Sequence, residues 1–178
     1  MGQFLAIGTV IGYALSMNKI LVSACLMGDP VRYDGAAKLS TNMHLARWRD
    51  EGRLLSFCPE VAGGFGILRL PAEIEADTGA SDVLGGHARI IDSQGGDVTD
   101  GFLNGAQAAL TAAQSAGCRH AILMDGSPSC GSSYIYAGHF DGTRKGGMGV
   151  TAALLVRNKI RVWNHNQIDA LADALDPK

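Results

Sequence analysis

The sequence predicts a single-domain α/β protein, a Rossmann-like parallel sheet flanked by helices. Three observations carry that expectation. Short apolar runs recur at Ile20–Ala24, Leu54–Phe57, His120–Met124 and Ile160–Trp163, the pattern of strands buried on both faces. Segments with helical spacing of apolar residues separate them, and strands alternating with helices are what crossovers in a parallel sheet require. The chain of 178 residues has neither repeats nor a linker, and that length suits one core.

The first sixteen residues stand apart. Phe4 to Leu15 is apolar and uncharged, shorter than the ~20 residues of a membrane-spanning helix. Only Met1, Gly2 and Gln3 precede it, so the basic start of a signal peptide is missing. Residues 1–16 are therefore read as a leader or appended segment, and 17–178 as the α/β domain. The first strand, ILVSA, closes on the turn Gly28-Asp29-Pro30. Thr41 to Glu51 places Met43, Leu45, Ala46 and Trp48 at helical spacing and ends near Gly52. The second strand, LLSF, stops at Pro59, and Gly63 to Gly66 forms a loop. From Glu73 to Gly96 the expectation is loops with a short hairpin. Val98 to Ala116 is the clearest helix, with Thr99 as its cap, a buried stripe of Phe102, Leu103, Ala106, Ala109, Leu110 and Ala113, and Gly117 as its stop. A third strand, HAILM, runs into the turn Asp125-Gly126-Ser127-Pro128. After the glycine loop 146–149 come a helix at Val150–Arg157, a fourth strand and a terminal helix at Asp169–Leu175.

Composition narrows the function. Seventeen acidic against fifteen basic side chains give a net charge of −2, and no Lys/Arg-rich run carries interleaved aromatics, so direct binding to nucleic acid is not expected. Four cysteines in a chain of this size point to reduced thiols in a cytoplasmic protein rather than to a disulfide scaffold.

The cysteines fall in a telling place. Cys25 lies just past the strand ILVSA, Cys58 just past LLSF, and Cys130 past the turn after HAILM. In an open parallel sheet the carboxyl ends of the strands share one edge, and ligands bind there. Thiols 33 and 72 residues apart in sequence then become neighbours. Three thiolates at one point repel each other, and a metal resolves the repulsion. All-sulfur ligation suits zinc or an iron–sulfur cluster, and three ligands instead of four leave a coordination position open for chemistry. The rival readings are a nucleophilic Cys130 and buried cysteines that only pack; Cys118, between helix and strand, is read as core. The five histidines show no metal-ligand spacing. The glycine loop 146–149 before a helix suits an anion or, as favoured here, closes the loop.

The segments ILVSACLMGDPVRYDG, FCPEVAGG, PAEI, DVTDGFLNGA, AILMDGSPSCGS and GVTAALL resemble, in the right order from about Ile20 to Trp163, the bacterial family once of unknown function that contains the thiouracil desulfidases. The resemblance implies a 4Fe–4S cluster held by Cys25, Cys58 and Cys130. Its open iron takes the thiocarbonyl sulfur of a free thiolated pyrimidine, and oxo base and sulfide are released without net redox change. It also implies functional roles for Glu60 of the CPE segment and for Ser127, the first serine of SPSC. Glu60, two residues beyond a proposed ligand, is placed to activate water, and Ser127 to hydrogen-bond a ring nitrogen or carbonyl with a freely rotating hydroxyl; a solvated glutamate and a turn-stabilising serine are the plain alternatives. Asp34 either binds substrate or makes an Asx turn. Two departures fall at Val31, where many relatives carry Cys, and at Met124, where they carry Lys. Two further functions compete: a sulfide carrier or redox sensor using the same cluster, and a zinc-stabilised binding domain.

Overall fold

The structure, a computed structural model, describes residues 19–176; the segment 1–16 lies outside them. In chain order the elements are β1 (Ile20–Ser23), α1 (Met43–Asp50), β2 (Leu54–Phe57), α2 (Pro59–Ala62), β3 (Ala72–Ile74), α3 (Ala80–Leu84), β4 (Ile90–Asp92), α4 (Thr99–Ser115), β5 (His120–Leu123), β6 (Tyr134–Tyr136), β7 (Arg144–Gly146), α5 (Val150–Arg157), β8 (Arg161–Asn164) and α6 (Ile168–Leu175). Ala24–Met27 forms a short 3-10 turn directly after β1.

Strands β2, β1, β5 and β8 make one parallel sheet in that order. The α/β expectation is met, and all four apolar runs are its strands. The pleat sends successive side chains to opposite faces. Ile20, Val22 and Ile122 pack with Leu45, Trp48, Ile168 and Leu171 from α1 and α6. Leu21, Ala121 and Leu123 pack with Leu110, Ala113 and Leu155 from α4 and α5. Helices thus cover both faces, which is why the central strands read as continuous apolar runs.

The sequence reading differs from the structure in four places. The stretch 73–96 does contain a hairpin, β3 against β4, but with α3 between its strands. The antiparallel pair β6–β7 was not expected, because Arg144-Lys145-Gly146 carries no apolar alternation. The helix α2 was missed as well. Thr99 does not cap α4: Asp97 accepts its backbone N–H at 3.0 Å and its hydroxyl at 2.6 Å, while the Thr99 hydroxyl accepts from the N–H of Ile90 at 2.9 Å. Val98 holds the N-cap position without a side-chain bond; Asp97 satisfies the first helical N–H, and Thr99 ties the helix to β4.

Glycines set how α2 sits. A side chain on Gly105 would meet the Pro59 carbonyl oxygen at 2.1 Å, and one on Gly63 would meet the Gly101 carbonyl oxygen at 2.1 Å. The backbones of α2 and α4 therefore touch, and this contact fixes the segment carrying Cys58 and Glu60. Gly105→Ala is expected to force α2 away, costing about 1–3 kcal/mol as overpacking does. The check is a lowered melting temperature together with weakened iron retention after anaerobic reconstitution.

Candidate metal centre

The carboxyl ends of β1, β2 and β5 lie level, since Ser23 pairs with Phe57 and Val22 with Ile122. From β1 the chain moves to β2 on one side and later to β5 on the other, so β1 and β5 flank the point where the strand order reverses, the usual ligand crevice of such sheets. A cavity of about 540 Å³ opens there, and Cys25, Cys58, Cys130, Glu60 and Ser127 all line it.

Each cysteine is carried by a defined local structure. Cys25 sits in the 3-10 turn after β1, and its carbonyl accepts the N–H of Lys38 at 2.9 Å. Cys58, next after β2, is the residue that caps α2. Cys130 ends the turn after β5, and Asp125 shapes that turn. Its Oδ1 accepts the N–H groups of Ser132 and Ser133 at 2.7 and 2.9 Å, and its Oδ2 the Ser133 hydroxyl at 2.6 Å. Burial works against the Asp125 charge, yet these bonds keep its pKa below the ordinary carboxylate value. The first N–H groups of α5 donate back to the turn, Val150 to Pro128 and Thr151 to Ser129 at 2.8 and 3.0 Å. They are thereby spoken for, and the glycine loop before α5 closes the structure as favoured. A Cβ at Gly149 would strike the Ser129 carbonyl oxygen at 2.4 Å.

All four cysteines are free thiols, so no disulfide consumes the trio. Burial pushes the Cys25 thiol up to about 11, and it raises Cys58 and, well above the usual value, Cys130. Next after burial for Cys130 come the charges of Glu60, Cys25 and Cys58, so these four groups are electrostatic neighbours. Among the described residues no three His, Cys, Asp or Glu side chains are grouped to hold a single metal ion. The three thiols line one cavity with no histidine among its lining residues, and an all-sulfur donor set suits zinc or an iron–sulfur cluster. Cys118 is 5 % exposed, packs with Leu110, Ala113 and Ala121, and is not among the cavity-lining residues.

Glu60 and Ser127 are bonded to each other. The Ser127 hydroxyl donates to Glu60 Oε1 at 2.8 Å and accepts the N–H groups of Ser129 and Cys130 at 3.0 and 3.3 Å. The freely rotating hydroxyl expected from the turn is therefore engaged on every side. Glu60 Oε2 receives Arg69, from Nε at 2.9 Å and Nη2 at 2.5 Å. Arg69 also lines the cavity and was missed in the sequence. It lies in a loop with no spacing relation to Glu60, and only the folded chain brings them together. Asp34 is not among the cavity-lining residues; its Oδ1 accepts the Ala36 N–H at 3.0 Å in an Asx turn. Val31 and Met124, the two departures from the family pattern, both line the cavity wall.

The profile of the 2-thiouracil desulfurase family matches residues 20–167. The chain belongs to that family. The uncharacterized protein YbbK of Bacillus subtilis strain 168 is 43 % identical over 150 residues, covering 84 % of this chain and 97 % of its own. Among solved structures, the 4Fe–4S-dependent thiouracil desulfidase TudS superposes with a TM-score of 0.80 at 46 % identity, over 89 % of this chain and 97 % of that one. The likeness spans the whole parallel sheet and the loops that carry the thiols, so membership of the desulfurase family rests on the site-bearing part of the chain. Among the described residues no helix is long and apolar enough to cross a membrane.

Proposed function

We propose that this member of the 2-thiouracil desulfurase family is a 4Fe–4S-dependent desulfidase that converts a free thiolated pyrimidine, a thiouracil, to the oxo base and sulfide. The observation that carries the reading is the grouping of three free thiols, a carboxylate and a serine hydroxyl around one cavity at the strand-order reversal. Cys25, Cys58 and Cys130 would hold the cluster. When bound, it supplies a soft Lewis acid with one position left open, matched to sulfur on the substrate.

The net reaction adds water. The ring C=S becomes C=O, the water oxygen stays on carbon, and both protons leave with sulfur as hydrogen sulfide, so no electrons are gained or lost. Glu60 takes a proton from the attacking water through Oε1. Ser127 steadies that oxygen, and its hydroxyl turns from the carboxylate to a ring nitrogen or carbonyl when the base enters. Val31 and Met124 present apolar surface, which keeps bulk water off the reacting carbon and strengthens the electrostatics inside.

Protein prepared without oxygen is expected to contain iron and labile sulfide, to absorb broadly in the visible, and to release uracil and sulfide from 2- or 4-thiouracil with no added oxidant or reductant. Zinc in place of iron would assign a zinc-stabilised binding domain. An intact cluster with no sulfide release from either base would assign a sulfide carrier or sensor.

A further inference from the structure

A guanidinium has five N–H donors, and Arg69 uses all five. Nε and one N–H of Nη2 go to Glu60 Oε2, the second N–H of Nη2 goes to the Val31 carbonyl at 3.0 Å, and Nη1 donates to the carbonyls of Gly66 and Ile67 at 2.9 and 3.1 Å. Its own backbone N–H is bound to the Tyr33 carbonyl at 3.1 Å. The side chains of Arg69 and Glu60 are only 11 % and 15 % exposed. The head group is therefore held in place by the loop after Cys25 and by its own loop before it reaches Glu60.

This makes the two oxygens of Glu60 unequal. Oε2 is gripped twice by a fixed cation, while Oε1 accepts one neutral hydroxyl. Turning the carboxylate would break all three bonds together. We propose that Arg69 is the positioning residue of this site: it locks Oε2 so that Oε1 alone is presented to the water and the thiolated pyrimidine. The proposal rests on the reading of Glu60 as the base. Lysine does not substitute, because a compact ammonium with three donors cannot supply the five bonds that reach these four acceptor atoms.

The test uses anaerobically prepared holoprotein and four variants: Arg69→Ala, Arg69→Lys, Glu60→Gln and the double variant Arg69→Ala/Glu60→Gln. Arg69→Ala and Arg69→Lys should keep iron content and visible spectrum. Each should lower kcat for 2-thiouracil by about 10- to 100-fold, the scale of a small misplacement of a catalytic group, with KM within about threefold. Added guanidinium should recover part of the Arg69→Ala loss. In the Glu60→Gln background Arg69→Ala should cost less than about twofold more, because both changes remove one function. Equal losses with and without Glu60, full activity in Arg69→Lys, or loss of iron from both Arg69 variants would assign Arg69 a bracing role and overturn the proposal. Full activity in Glu60→Gln would instead remove Glu60 as the base, a separate failure read from that variant alone.

Discussion

Replacing Cys25, Cys58 or Cys130 by alanine, one at a time, is expected to abolish both the visible absorption of the iron–sulfur centre and the release of sulfide from thiouracil. The loss should be all-or-none because the trio has no reserve. In the proposed assignment three ligands already leave one position open, and a cluster reduced to two thiolates would expose half its metal to solvent. Cys118 cannot stand in, since it is not among the residues that line the cavity shared by the other three. Iron and labile sulfide per chain, measured after anaerobic reconstitution, should fall to background in each of the three variants. Turnover should drop at least about 10³-fold, in line with losing the group that supplies the main electrostatic stabilisation. Cys118→Ala is the matched control. It should keep the cluster and most activity while losing some stability, because it deletes only a packed sulfur. The same thiols predict how loading responds to pH. Burial holds Cys25 at about 11 and raises Cys58 and Cys130, so in the absence of metal all three carry protons at neutral pH. Loading must expel them, and iron uptake by the apo-protein should improve as pH rises from about 6.5 to 8.5. A mutated trio position that kept its spectrum and activity would dismantle the assignment.

The part of this site legible in the sequence was the part fixed by backbone direction. A parallel sheet puts every strand's carboxyl end on one edge, so a cysteine just after each of three apolar runs could be placed on that edge from spacing alone. Strand limits at Leu54–Phe57 and helix limits at Val150–Arg157 match because each is bounded by residues of unambiguous chemistry, Pro59 in one case and the Gly149 and Asn158 ends in the other. What could not be read was whatever depended on side chains meeting across the fold. Arg69 finds Glu60 only because its loop runs antiparallel to residues around Tyr33 and Asp34. Across the hairpin β6–β7 Arg144 stacks 4.7 Å from the Tyr134 ring centre, a contact that leaves no periodic trace. The tilt of α2 depends on glycine contacts with a helix some forty residues away. Ser127 shows the same limit. Its position at a turn was evident, but its engagement by Glu60, Ser129 and Cys130 was not.

Glu60→Gln should separate holding the cofactor from using it. Glutamine has nearly the same shape and still offers an oxygen to Arg69 or to Ser127, so the trio of thiols has no reason to move and iron content should match the parent protein. What disappears is the carboxylate proposed to accept a proton from water. General-base assistance is worth about 10²–10⁴-fold, and kcat should fall within that range while thiouracil still binds. Glu60→Ala carries an additional penalty. It strips the Arg69 guanidinium of its anionic partner in a site where that side chain is only 11 % exposed, and an unpaired buried group costs about 1–3 kcal/mol or more. The alanine variant should therefore melt at a lower temperature than the glutamine variant at similar residual activity. Glu60→Asp retains the charge but withdraws it by one methylene, so it either breaks the two bonds to Arg69 or pulls away from Ser127. Its activity should lie nearer to glutamine than to the parent protein, since the reaction depends on where the oxygen stands as much as on its charge. Measuring kcat, iron content and melting temperature on all three variants distinguishes a base from a brace, because a bracing glutamate would lose iron and stability in step with activity.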